Sequence, residues 1–388
     1  MTRREFIKMM GVMGMGAVLS QCSSPAELVT DNRNKRLVIV HLAGGNDGLN
    51  TVIPYRNEIY HEARPTLSIR NPEIKLTDEI GLHPALTSFR SLYDRGALAI
   101  INGVGYPHAT QSHFSAMDTW GSGSDGRSLK HTGWIGRYLD ARSDTHPLTA
   151  VEINRQLSLM FQGEDRSGFA LSSIKHLLRY QGSAAHNHEH AATNNYNLDF
   201  LYGTLLQTQQ AVDTINSRYK QYSKESYAYG TTLSHDLKLV TDFIGSGLGT
   251  EIFYTRMPGF DTHIKQSERQ ATLLRKLSDT IDSFVADLER LEQFEQTLIL
   301  IYSEFGRRVG QNGNGGTDHG TANNLFLINP RLSRAGLYND MPDLQQLIDG
   351  NLAYTVDFRS VYAAVLRDWL GMEPRGILGD DYPAVTVL

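Results

Sequence analysis

Acids and imidazoles recur in this sequence close to short apolar runs. Residues 37–42, Leu-Val-Ile-Val-His-Leu, break into a glycine-rich turn that carries Asp47. Residues 97–102 lead through a loop to Ser112 and His113, and residues 251–255 lead to Asp261 and His263. Residues 298–301 are followed by Ser303, Glu304, Arg307 and Arg308, while Asp318 and His319 precede the apolar run 325–328. Side chains at the end of a buried strand face the crevice outside the strand ends, where open α/β sheets bind ligands. In an extended segment Asp261 and His263 point the same way, so this Asp-x-His pair can give two ligands to one ion. Several such groups at separate strand ends suit one or two divalent ions, which lower the pKa of a water or serine and neutralise a phosphoryl or sulfuryl group. Ser112, at the start of a helix that follows a strand, is a candidate nucleophile or anion-site residue above free backbone amides. Arg307 or Arg308 is a candidate clamp for the outer oxygens of an anion.

Each segment alone also has a plainer reading. Asn46-Asp47-Gly48 is a good turn sequence, Ser112 an ordinary N-cap, and Asp261 a cap for the next helix. The stretch 297–328 read alone is a polar loop between two strands. Histidines 186, 188 and 190 alternate as metal ligands would, but Asn and Ala around them fix no geometry, so a polar loop is expected there.

The elements that must position these residues alternate between short, branched apolar runs and amphipathic helices. Strands are expected at 37–42, 97–102, 251–255, 298–301 and 325–328, with helices at 80–94, 198–222, 232–244 and 268–291. That order predicts an α/β fold, a mostly parallel central sheet with helices on both faces. Residues 143–229 differ in texture and are expected to form a helical insertion or lid on a single domain spanning 36–388. The glycine spacing after the first strand does not match a dinucleotide fingerprint.

At 388 residues the chain is long enough for a sizeable core, and its formal charge of -5 gives no sign of a nucleic-acid surface. With Cys22 as the single cysteine, disulfide frameworks and multi-cysteine metal sites are excluded, and a metal must be held by His, Asp, Glu or hydroxyl groups. Arg3 and Arg4 followed by Phe6, Ile7 and Lys8, then an apolar run too short to span a bilayer, resemble a twin-arginine export signal over residues 1–22. Cys22 stands where a lipoprotein would be acylated, although Gln21 departs from that pattern, and 23–35 reads as a polar tether. The expected partners are therefore the twin-arginine export machinery and, with Cys22 acylated, a membrane anchor; the expected location is the periplasm or cell envelope.

The runs Leu-Ala-Gly-Gly-Asn-Asp-Gly-Leu-Asn-Thr (42–51), Ser-His-Phe (112–114), Gly-Phe-Asp-Thr-His (259–263), Ser-Glu-Phe-Gly-Arg (303–307) and Gly-Thr-Asp-His-Gly-Thr-Ala (316–322) carry a resemblance. In this order they resemble the exported bacterial family catalogued as domain of unknown function 1501, itself similar to the alkaline phosphatase and sulfatase superfamily. The resemblance implies an alkaline-phosphatase-like fold. It makes Asp47, Asp261, His263, Glu304, Asp318 and His319 metal ligands, with Ser112 in the nucleophile's place. It also implies divalent ions, zinc first and otherwise manganese, magnesium or calcium. The implied activity is hydrolysis of anionic phosphate or sulfate esters; the alternative is a non-catalytic envelope protein that binds an anionic glycan or a partner. Two departures stand out. No Cys-x-Pro-x-Arg run is present, which excludes a formylglycine made from cysteine, and Glu304 stands where the superfamily has an Asp-His pair.

Overall fold

The computed structural model describes residues 35–173, 208, 210–218 and 232–388. The expected export signal, Cys22, nearly all of the tether and the histidines at 186, 188 and 190 lie outside them. Among the described residues no helix is long and apolar enough to cross a membrane.

The run Leu-Val-Ile-Val-His-Leu forms β1 (Arg36–Ala43), and its branched side chains are divided between two cores. Leu37 and Ile39 enter one hydrophobic cluster, and Val38, Val40 and Leu42 the other. A strand apolar on both faces can be stable only when helices cover both. The remaining strands of the same sheet are β2 (Leu98–Gly105), β3 (Ala150–Glu152), β4 (Phe169–Ala170), β5 (Ile252–Pro258), β6 (Thr297–Tyr302), β7 (Asn323–Ile328), β8 (Gly336–Leu337) and β9 (Val356–Asp357). Their order is β8-β2-β7-β6-β1-β5-β3-β4, with β9 also paired to β2. All pairings are parallel except those of β7, which runs antiparallel to β2 and β6. The mostly parallel α/β sheet expected from the sequence is the sheet observed.

The helices are α1 (Glu58–Ala63), α2 (Thr87–Asp94), α3 (His113–Ser122), α4 (Trp134–Asp140), α5 (Thr232–Gly245), α6 (Gln266–Arg290), α7 (Phe358–Ala364) and α8 (Pro374–Leu378). α2, α5 and α6 bury Phe89, Val240 and Ile281 against one face of the sheet. α3, α4, α7 and α8 bury Trp120, Ile135, Tyr362 and Ile377 against the other. In the segment expected as an insertion, residues 150–152 and 169–170 extend the central sheet as β3 and β4. Of the helix expected at 198–222, residues 208 and 210–218 are described, and 208, 210 and 211–218 are helical.

This topology collects chain at one edge. β1, β5 and β6 are adjacent and parallel, so the residues that follow them emerge together. β7 runs the other way, so the residues that precede it arrive at the same edge. The 303–322 connection is itself laddered, with Gly306 N–H donating to Thr321 O at 2.8 Å and Arg308 N–H to Asp318 O at 3.0 Å.

The helix expected from residue 80 begins only at Thr87. Gly81 and Leu82 pair with Val52–Ile53 and Ile74–Lys75 in a small antiparallel sheet, and Pro84 keeps His83 out of helical geometry. His83 is buried, and its Nδ1 accepts the Ala85 N–H at 3.1 Å, which requires the unprotonated nitrogen. Burial, reinforced by the Arg275 charge, pulls its pKa down to about 4. A pKa depressed on folding means that the unfolded chain binds the proton more readily, so this contribution is complete above pH 6.5 and is lost as pH falls from 6.5 towards 4. The fall from 6.5 to about 4 is worth about 3 kcal/mol. Urea denaturation of His83→Asn, whose amide oxygen accepts the same N–H, is therefore expected to show a pH 7 to pH 4 loss smaller than wild type by about that amount.

Candidate metal centre

His113 opens α3, directly after Ser112 at its N-cap. Asp261 and His263 follow β5, and His319 lies in the ladder ahead of β7, bridged to Arg307. The turn after β1 makes their approach feasible. Gly44 has a φ of +120°, and a Cβ there would stand 2.4 Å from the Asp261 backbone nitrogen, so a side chain would push the Asp261 segment out of place. On one side the ring of Phe305 closes the cluster, stacked on His113 at 4.8 Å between centroids and tilted on His319 at 4.9 Å.

His113, Asp261 and His319 each bring one ligand atom within 4.8 Å of the others, a set able to hold a divalent ion. His263 joins them. Its Nε2 is 3.0 Å from Asp261 Oδ1 and 3.0 Å from His319 Nε2, while His319 Nε2 is 3.1 Å from the same carboxylate oxygen. His113 Nε2 faces Asp261 Oδ2 at 3.7 Å and, although buried, has no hydrogen-bond partner among the described residues.

The other nitrogen of every ring is held by an acceptor. His113 Nδ1 meets Glu304 Oε1 at 2.7 Å, His263 Nδ1 meets Asp318 Oδ1 at 3.0 Å, and His319 Nδ1 meets the Gln111 carbonyl at 2.8 Å. A carbonyl or an ionised carboxylate only accepts, so each Nδ1 carries the hydrogen and each neutral ring turns an Nε2 lone pair inward. Two lone pairs 3.0 Å apart beside a carboxylate repel one another unless a cation lies among them. The donor set and its outer supports therefore fit a bound divalent ion.

Glu304 is almost completely buried and acts on the centre through His113. Its Oε2 accepts from His41 Nε2 at 2.9 Å, and Oε1 also accepts the Gly44 N–H at 2.9 Å. His41 is fixed in turn by the Tyr254 hydroxyl at 2.9 Å and by stacking on Tyr302. Burial alone raises the Glu304 pKa, but the hydrogen bonds from His113 and His41 outweigh it and hold the carboxyl far below the usual range. The Glu304 hydrogen bond raises the His113 pKa in return. For Asp261, burial is likewise opposed by the hydrogen bond and charge of Arg307, which hold the carboxyl below its usual range. Asp318 is lowered by hydrogen bonds from Asn312 and then His263. Glu304→Gln removes the charge that orients His113, and chelator competition is expected to show metal affinity about 10–100-fold weaker. An affinity equal to wild type would show that the Glu304 charge does not support the ligand ring.

A family model described as "Protein of unknown function (DUF1501)" matches residues 34–346. The chain belongs to the DUF1501 family. Among curated proteins no match is found. Solved structures similar to this DUF1501 chain include the lipoteichoic acid synthase LtaP from Listeria monocytogenes, at 8% identity and a TM-score of 0.40, covering 79% of this chain and 68% of that one. Another is the PsFucS1 sulfatase from Pseudoalteromonas sp., at 12% identity and a TM-score of 0.39, covering 80% and 65% respectively. A third is the phosphonate monoester hydrolase SpPMH from Silicibacter pomeroyi, at 10% identity and a TM-score of 0.40, covering 90% and 77%.

Within this DUF1501 protein the residues singled out from sequence fall into three places. Asp261, His263 and His319 converge as described, while Glu304 and Asp318 stand one layer out, each on the far nitrogen of a histidine. Asp47 makes no hydrogen bond or ion pair with these side chains among the described residues; its Oδ2 forms a buried 2.6 Å ion pair with Arg64 and takes a further hydrogen bond from Gln266. Its Oδ1 is buried without a partner among the described residues. Arg307 is fully buried and is spent on the scaffold, donating to the carbonyls of Gly44, Gly45, Phe260 and Thr317 and to Asp261 Oδ1. That leaves it out of reach of an anion in solvent. Ser112, one residue before His113, is exposed and makes no capping bond; its Oγ accepts a long hydrogen bond from Ser115 at 3.4 Å. His113 appeared in the sequence only as an alternative to Ser112, and His41 only as part of an apolar strand. A histidine inside an otherwise branched, buried run was the available signal for the latter, because such a group needs a partner.

Proposed function

We propose that this protein is a metal-dependent hydrolase of phosphate or sulfate esters that works in the cell envelope after export. The observation that carries the reading is the convergence of three imidazole Nε2 atoms on Asp261 with every Nδ1 held from behind. A divalent ion bound there supplies Lewis acidity towards a water and the ester's oxygens. Three imidazoles with one carboxylate suit zinc better than magnesium or calcium, which prefer all-oxygen sites. Phe305 packs against two of the rings, and the half-exposed Asp261 leaves the centre open to substrate. Ser112, exposed next to His113, is the chain's candidate nucleophile.

A second reading is a protein that keeps the ion to bind an anionic glycan or partner without turnover. It is favoured by one observation: Arg307 and Asp47 are both committed to the scaffold, which leaves donors for a single ion and no clamp at Arg307. Zinc-loaded and chelator-stripped protein assayed on 4-nitrophenyl phosphate and 4-nitrophenyl sulfate separate the two. The hydrolase reading predicts metal-dependent release of nitrophenol that is lost in His263→Ala; inert, fully loaded protein would contradict it and leave the binder.

A further inference from the structure

A cleft of about 530 Å³ lies against the metal centre, and the two share chain. Gln111 lines the cleft while its carbonyl holds His319, and Arg308 lines it while its backbone N–H donates to Asp318 O. The far wall is a hairpin formed by Leu347–Ile348 and Asn351–Leu352. Asp349 and Gly350 make its two-residue turn with φ values of 53° and 79°, the left-handed pair that such a tight hairpin requires. Tyr354 follows it and stands half-exposed in the cleft.

Three side chains in this cleft have unmet chemistry. The Arg308 guanidinium is exposed, and its charge acts on Asp318 without a hydrogen bond or ion pair to any described residue. Asn351 is only 5% exposed, yet its Oδ1 has no partner among the described residues. Such a buried acceptor is costly unless a ligand or water supplies a donor. The exposed Tyr354 offers an aromatic surface of the kind on which a flat apolar face can rest. A cation for an anionic group, an acceptor for hydroxyls and an aromatic platform together describe a charged, hydroxyl-rich ring. A purely apolar alcohol would leave Asn351 unsatisfied.

We infer that this cleft binds the saccharide part of a sulfated or phosphorylated sugar, with Arg308 as its anion contact, Tyr354 beneath the ring, and the Asn351 amide, whose Oδ1 has no accessible surface in this conformation, turning to accept from a hydroxyl. The inference rests on the reading of the neighbouring centre as the seat of ester hydrolysis, but sugar binding is measurable without turnover.

The test is calorimetric titration of the intact, zinc-loaded protein with glucose 6-sulfate, N-acetylglucosamine 6-sulfate and glucose 6-phosphate, with glucose, inorganic sulfate and inorganic phosphate as controls. At least one sugar ester is expected to bind about tenfold or more tightly than glucose or its own free anion. Arg308→Ala is expected to weaken it by about 10–100-fold, the usual range for a hydrogen bond to a charged group. Tyr354→Ala is also expected to weaken it, with zinc stoichiometry unchanged in both variants. Sugar esters that bind no better than the free anions, or variants that bind as tightly as wild type, would overturn the inference. Binding that depends on Arg308 without hydrolysis would remove the hydrolase reading and leave the saccharide site standing. Turnover of nitrophenyl esters without sugar binding would do the reverse.

Discussion

His319→Ala is expected to lose its divalent ion while keeping its fold. His319 touches two of the other three members of the inner cluster, with Nε2 3.0 Å from His263 Nε2 and 3.1 Å from Asp261 Oδ1. Removing it takes away one of four donors and leaves three; the side chain is partly exposed and lies outside the two main hydrophobic clusters, so truncation opens no cavity in them. The loss of affinity should exceed the roughly 10–100-fold effect of an outer support such as Glu304, because a bond to the ion itself disappears. Zinc per chain after dialysis, measured by elemental analysis, is expected near one for wild type and near zero for the variant. Thermal unfolding gives a second readout. An ion held at a hundred times its Kd stabilises the native state by about 2.7 kcal/mol, an increment that wild type should gain on adding zinc and His319→Ala should not. Equal zinc content in the two proteins would remove His319 from the centre.

Arg64→Ala is expected to have the largest effect on stability. Arg64 and Asp47 are both at most 1% exposed, and their 2.6 Å ion pair lies beneath the turn that follows β1. The same guanidinium also donates to Asn50 Oδ1 and to the carbonyls of Val309 and Arg308, so it ties that turn to the 303–322 ladder. Truncating one partner leaves a buried, uncompensated carboxylate, for which the usual cost is about 3–5 kcal/mol. Replacing both, as in Arg64→Met with Asp47→Leu, should cost less than the sum of the two single changes, because no charge is left unpaired. Urea titrations of the four proteins give the coupling, and additive single and double losses would show that the pair does not act as a unit. Zinc stoichiometry in Asp47→Asn is the companion measurement. It is expected to match wild type if Asp47 serves the scaffold, and to fall if Asp47 is a ligand.

The sheet was readable because its strands are written in one alphabet. β1, β6 and β7 are unbroken branched runs, and residues buried on both faces leave no other economical assignment. Asp261 and His263 were readable for a related reason, since a period of two places both on one side of an extended segment. The division between inner and outer shell was not. Glu304 and Asp318 stand as close to strand ends as true ligands do, and only the folded chain shows a histidine ring interposed between each and the centre. Choosing between Ser112 and His113 turns on a rotation of one residue at a helix start, about 100°, which composition does not report. Arg64 gave no signal because its partner lies 17 residues away across a turn and a short helix. Arg307 looked like a solvent-facing clamp, yet the close approach of Gly44, Phe260 and Thr317 surrounds it with carbonyls that need a donor.

His113, His263, His319 and Asp261 are expected to bind one divalent ion together, and anomalous diffraction from a crystal of the zinc-loaded protein would locate it. One strong peak is expected, roughly 2.0–2.2 Å from the Nε2 atoms of all three histidines and from an Asp261 carboxylate oxygen. A peak bonded instead to Asp47, Glu304 or Asp318, or no peak at the three imidazoles, would contradict it.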